Sequence, residues 1–187
     1  QGTISVTQDE ISRNEGMWYI SFLNSRHPAK SSNLKGNKIQ IKNFVIEYNG
    51  SVKFEDSGFN MSIDGEGELI FNGYFYSGTF NDKGDINDCI ISRIGSNGER
   101  IPFFYGEVKS MTPFVGIWFD ERHISEGEFE DNELVNGYVF DYTGNVKEHK
   151  GDSAGYEAKY KEKNYNYRQT FQKNHRITLN YSTTQPR

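Results

Sequence analysis

The chain holds a single cysteine, Cys89, among its 187 residues. A lone thiol excludes an intrachain disulfide and a cysteine-built zinc site. There is no apolar run long enough to cross a bilayer as a helix. Proline is scarce, at 4 residues, and the hydrophobic share is only 34%. Mean hydropathy is −0.79, low for a compact globule. What is plentiful instead is aromatic and glycine: 14 Phe, 12 Tyr and 19 Gly. Rings must therefore supply most of the burial, and short strands joined by tight turns are the expected fabric. Disordered chains are poor in aromatic residues, so disorder is not expected.

Charge is unevenly spread. Net charge is −5, yet residues 156–187 hold seven Lys/Arg against Glu157 and Glu162. That end is +5, which leaves −10 on residues 1–155. An acidic body with a basic end argues against general nucleic-acid binding, which needs a basic surface throughout. The chain starts at Gln1 rather than Met, as a processed or exported product would, and no signal peptide is visible.

Motifs for chemistry are missing. His27, His123, His149 and His175 lack metal-ligand spacing, and there is no His-Glu-x-x-His helix, P-loop, nucleophile elbow or dinucleotide fingerprint. Residues 81–88, "NDKGDIND", bunch oxygen ligands around Gly84 but lack calcium-loop spacing, so a hairpin turn is expected there. Cys89 sits in an apolar β-like run and is expected to be buried, not nucleophilic. No enzyme activity, metal or cofactor is expected.

Period-2 alternation dominates, as in Phe44/Ile46/Tyr48, Leu69/Phe71 and Ile117/Phe119. Helical periodicity is scarce apart from residues 7–13. Turn signals fall between the alternations: Asn49-Gly50, Asn72-Gly73, Lys83-Gly84, Asn97-Gly98, Asn136-Gly137 and Thr143-Gly144. The glycines repeat too. Gly50, Gly78, Gly106, Gly127 and Gly151 step by 28, 28, 21 and 24 residues. Second glycines at Gly67, Gly116 and Gly137 each precede an aliphatic or aromatic run. Stacked hairpins bring backbones close, which glycine alone tolerates, and such an array needs end caps.

"SEGEFEDNELVNGYVFDYTGN" and "GEGELIFNGYFYSGTFND" carry this pattern best, and it resembles the MORN repeat over about residues 46–152. The units around Gly78 and Gly106 depart from it, with stretched spacing and no Gly-x-Gly pair between Gly84 and Gly98. The resemblance implies an all-β fold: an elongated, twisted antiparallel sheet of repeated hairpins. N-terminal cap strands would occupy 1–45 and a basic, Tyr-rich C-terminal cap 153–187, with a non-repetitive strand at 177–181. The basic stretch is expected to be a strand or short helix whose rings cap the array, and its charges could also meet the acidic body. The rival is a lipocalin-like β-barrel, whose Gly-x-Trp signature Gly16-Met-Trp18 resembles. Its interior would be lined by Trp18, Phe22, Phe44 and Phe71 around a small apolar ligand.

By resemblance, the function would be a non-enzymatic scaffold. A protein partner would engage an aromatic repeat face at Tyr76, Tyr105, Trp118, Phe129 and Tyr138. Anionic lipid is disfavoured by the acidic body. Glu126, Glu128 and Glu130 alternate, and so are expected on one strand face, as a cation or basic-partner site or as a solvated face.

Overall fold

The computed structural model describes residues 4–5, 17–20, 25–28, 38–42, 46–55 and 60–181, with side chains for 47–53 and 62–181. The strands are β1 (Ile4–Ser5), β2 (Met17–Ile20), β3 (Ser25–Pro28), β4 (Lys38–Lys42), β5 (Ile46–Glu55), β6 (Asn60–Phe71) and β7 (Tyr74–Phe80). They continue as β8 (Ile86–Ile94), β9 (Arg100–Lys109), β10 (Thr112–Phe119), β11 (Ile124–Glu130), β12 (Glu133–Phe140) and β13 (Val146–Lys150). Among the described residues one helix, α1 (Ser153–His175), follows. From β5 to β13 each strand pairs antiparallel with the next. The strand path runs from β1 through β4 to β13 and does not return, so the described strands make an open sheet and not a closed barrel. Of the barrel's expected lining, Phe71 is half-buried against the core. Phe22, Phe44, the Trp18 side chain and residues 7–13 lie outside the described residues.

The turns follow from residues that tolerate positive φ. Asn72-Gly73 (φ 53° and 80°) and Asp131-Asn132 (φ 50° and 65°) make two-residue reversals. So does Ser110-Met111 (φ 48° and 64°), which has no usual turn residue. Neighbouring backbone and a side chain hold it instead: Met111 N donates to Gly84 O (2.9 Å) and Ser110 N to Asp85 Oδ1 (3.1 Å). Residues 81–85 form the expected turn, with Asn81 Oδ1 accepting from Lys83 N and Asp85 N. The same device recurs at Asp120 and Asp141. Two expected turns are not turns. Asn49-Gly50 lies inside β5 and Asn136-Gly137 inside β12, because their glycines serve a different purpose.

That purpose is a row across the sheet. Gly50 faces Gly67, which faces Gly78; further on, Gly106 faces Gly116, Gly116 faces Gly127, and Gly127 faces Gly137. Cys89, paired with Gly106, fills the place of β8 in this row. A Cβ at Gly116 would lie 2.3 Å from Tyr105 O and 2.7 Å from Gly106 Cα. Rings lean into the trough that the missing side chains leave: Tyr48 over Gly67, Phe104 over Gly106 and Gly116. The repeated glycines thus mark close backbone approach under aromatic cover.

Alternation sorts the side chains into two cores. On one face lie Tyr48, Leu69, Tyr76, Ile91 and Phe104, with Phe129 and the half-buried Trp118 packed among them. On the other lie Tyr105, Ile117, Phe119, Ile124, Tyr138 and Phe140, covered by α1. The basic, Tyr-rich end is therefore a helix of 23 residues, longer than the strand or short helix expected. Its buried residues, Tyr156, Tyr160, Asn164, Tyr167 and Phe171, recur every three or four positions. Asp152 caps it by accepting from Gly155 N at 2.9 Å, and Arg176 ends it in the left-handed region (φ 54°). The strand expected at 177–181 reduces to one bridge, Asn180 to Asn145.

Candidate binding surfaces

α1 is held to the sheet by a buried ionic cluster. Glu126, on β11, is 0% exposed, and Arg168, on α1, is 9% exposed. Arg168 donates from Nε to Glu126 Oε1 (2.6 Å) and from Nη2 to Oε2 (2.7 Å). Its outer nitrogens also donate to Glu157, at 3.0 and 2.5 Å. Tyr156 donates to Glu126 Oε2 at 2.8 Å, and Tyr181 donates to Oε1. The guanidinium also lies 4.1 Å from the centre of the Tyr181 ring. Burial, and then the charge of Glu126, push both tyrosine hydroxyls well above the ordinary range. A carboxylate with all its lone pairs taken by donors is closed to substrate and serves as a fastening. Lys163 pairs with Glu107 at 2.8 Å, and Tyr167 donates to Asp88 Oδ1 at 3.1 Å. A hydrogen bond with Tyr160 raises the pKa of Lys159, and the charge of Glu128 adds to it.

The carboxylates expected on one strand face are thus unequal. Glu126 is sealed under α1, Glu128 is half-buried and Glu130 is exposed at the hairpin. Alternation holds along β11, so Phe129 faces the opposite core as expected, and the bulge beside it lies in β12, where Val135 is the extra residue. The five expected partner-binding rings also divide. Tyr76, Trp118 and Phe129 share one face, whereas Tyr105 and Tyr138 lie on the other, beneath α1. The reason is parity: Tyr105 and Phe104 are sequence neighbours, so they point to opposite faces. Tyr105 reaches His175 Nε2 and Asn174 Nδ2 at 3.4 Å each, and Tyr138 packs on Tyr156 and Tyr181. Trp118 alone of the five is not fully buried.

Trp118 belongs to an aromatic run that reaches the surface. Ring centroids step from Phe129 to Trp118 (5.7 Å), Phe103 (5.5 Å) and Tyr74 (5.7 Å), which is 43% exposed. Phe103 joins the run because it is the extra residue of a bulge after Pro102. Phe114 follows Pro113 in the same way and packs on Tyr160 of α1. These two Pro-Phe pairs were a readable signal for bulged strands. The run borders a cleft of about 750 Å³ at the turn end of the sheet, lined among others by Arg93, Ile101, Phe103, Arg122 and Tyr142. Asp120 on its rim is pushed up by burial, but the backbone N–H groups of Arg122 and His123 outweigh this and hold its carboxyl below the usual range.

A second cleft, of about 550 Å³, lies on the α1 side of the sheet over β5–β8 and carries Asn49, Glu66, Glu68, Ser77, Thr79 and Asp88. Among the described residues no group of three or more His, Cys, Asp and Glu side chains is arranged to hold a metal. No described helix is long and apolar enough to cross a membrane. Cys89 is buried, and burial pushes its thiol pKa up, as suits an inert core thiol. No protein-family model matches the chain, and no curated protein matches it either.

Proposed function

We propose that this chain is a non-enzymatic binding and scaffolding module that engages a protein partner through an aromatic sheet face. The observation that carries the reading is the continuous run from buried Phe129 through Trp118 and Phe103 to exposed Tyr74. A rigid ring anchored in a core loses little entropy on binding, which is why Trp and Tyr dominate interface hot spots. The adjoining cleft, flanked by Arg93 and Arg122, supplies apolar area with a charged rim. The MORN-like pattern points to the same class of function, with the contact moved from the five rings of the repeat pattern to Tyr74, Phe103 and Trp118.

Site-specific photo-cross-linking in the native host tests this. A cross-linking residue at position 74 is expected to capture one discrete polypeptide. One at position 165, a tyrosine 60% exposed on α1, is expected to capture none. Equal labelling at both positions would refute the aromatic face as the contact.

A further inference from the structure

The clearest unused feature is a repeat within the α1-facing side of the sheet. Glu126-Gly127-Glu128 on β11 and Glu66-Gly67-Glu68 on β6 are the same triplet, centred on glycines of the same cross-strand row. On β11 the triplet is answered by α1 at Glu126, which Arg168 takes. Glu107, beside Gly106 in that row, is answered by Lys163. On β6 no described cation meets Glu66 or Glu68. α1 packs on β9, β10, β11 and β12 and reaches β8 through Tyr167 at Asp88, and no described element covers β5–β7 on this side. That remainder holds the cleft of about 550 Å³, with Glu66, Thr79 and Asp88 exposed. Three strands at about 4.8 Å each are some 14 Å wide, room for one helix about 10 Å across.

We propose that this uncovered half of the sheet receives a basic helix from a partner protein, laid beside α1 and fastened as α1 is. Charge selects the occupant. The face carries Glu66, Glu68 and Asp88, and residues 1–155 carry −10, so nucleic acid and anionic lipid are repelled while Lys/Arg side chains are drawn in. Ile90, exposed and in register with Ser77, offers an apolar contact at the seam with α1. Ser77 and Thr79 offer hydroxyls to the helix's polar side chains. The surface is separate from the aromatic run, which lies on the opposite face, so the two contacts can be tested independently.

The probe is a synthetic peptide of residues 153–175, cross-linked between positions 158 and 162 to hold it helical, and added to the full chain. Binding is expected to be saturable and to weaken with salt. It is expected to fall about tenfold or more in Glu66→Gln/Glu68→Gln, and when the peptide carries Lys163→Gln and Arg168→Gln. Hydrogen exchange of the full chain is expected to slow on β6 and β7 while α1 keeps its protection. Absence of saturable binding would overturn the proposal. So would loss of protection in α1, because the peptide would then have displaced the resident helix and left the open face empty. Glu66 is exposed and Glu68 half-buried, so the double variant is expected to melt like the parent, and that melt serves as the folding control.

Discussion

A Cβ at Gly116 has nowhere to go. It would meet Tyr105 O at 2.3 Å, Gly106 Cα at 2.7 Å and the Phe104 ring at 3.0 Å. The first two are backbone atoms that cannot swing aside. Gly116→Ala is expected to destabilise by about 3 kcal/mol, the upper end of overpacking because the clashing atoms are backbone, whereas Gly98→Ala meets no neighbouring atom and is expected to cost about 1–2 kcal/mol for its left-handed backbone at φ 78°. Urea titration of the two variants checks the order. The tyrosines beneath these glycines and beneath α1 make a second prediction. Burial pushes Tyr76 up to about 12 from an ordinary 10, and it also raises Tyr48, Tyr156, Tyr167 and Tyr181. Unfolded tyrosines lose their protons near pH 10, before the folded ones do. Stability is therefore full below pH 10 and falls as pH rises toward 12. Denaturation midpoints measured across that range, with tyrosinate absorbance alongside, are expected to show late ionisation coinciding with unfolding.

At the scale of the element, α1 is the test of how the molecule is put together. Removing Arg168 leaves Glu126 charged and sealed, so Arg168→Met is expected to cost about 3–5 kcal/mol. Glu126→Leu combined with Arg168→Met removes both charges and is expected to recover much of that loss, a non-additivity that a double-mutant cycle measures. Simple additivity would mean that the two groups do not act as a pair.

The helix also marks where the sequence becomes hard to read. Its buried face has flawless helical spacing, 156, 160, 164, 167 and 171, but the residues are Tyr, Tyr, Asn, Tyr and Phe. Hydropathy counts such a face as polar, so the periodicity is hidden behind hydroxyl and amide groups that are satisfied only after docking. Glu126 was hidden for the same reason: a strand carboxylate reads as solvated until its arginine, 42 residues away, comes into view. The strands were easier. Phe80-Asn81, Phe119-Asp120 and Phe140-Asp141 end strands in Asx-held turns, and Asn72-Gly73 reverses the chain as its type demands. Asn49-Gly50 and Asn136-Gly137 misled because one dipeptide suits both a turn and a close-approach row. Only the partner strand decides between them.

At the scale of the molecule, the chain is an open antiparallel sheet with a helix closing part of one side. An open sheet of this kind keeps two edges as well as two faces to manage, whereas closure into a barrel would remove the edges. Here one face is sealed by rings down to Trp118, and the other is sealed by α1 over β9–β12. Left uncovered by the described elements are an aromatic run at the turn end and an acidic cleft over β5–β8. Both have the chemistry of contact surfaces: anchored rings with a charged rim in one case, aligned carboxylates in the other. The most direct test is native mass spectrometry of the protein purified from its own host, comparing the parent chain with a Tyr74→Ala/Trp118→Ala variant. The parent is expected to carry a second polypeptide that the variant loses while remaining folded. A parent chain that flies alone, or a variant that keeps the same polypeptide, would contradict the assignment of the aromatic run as the binding surface.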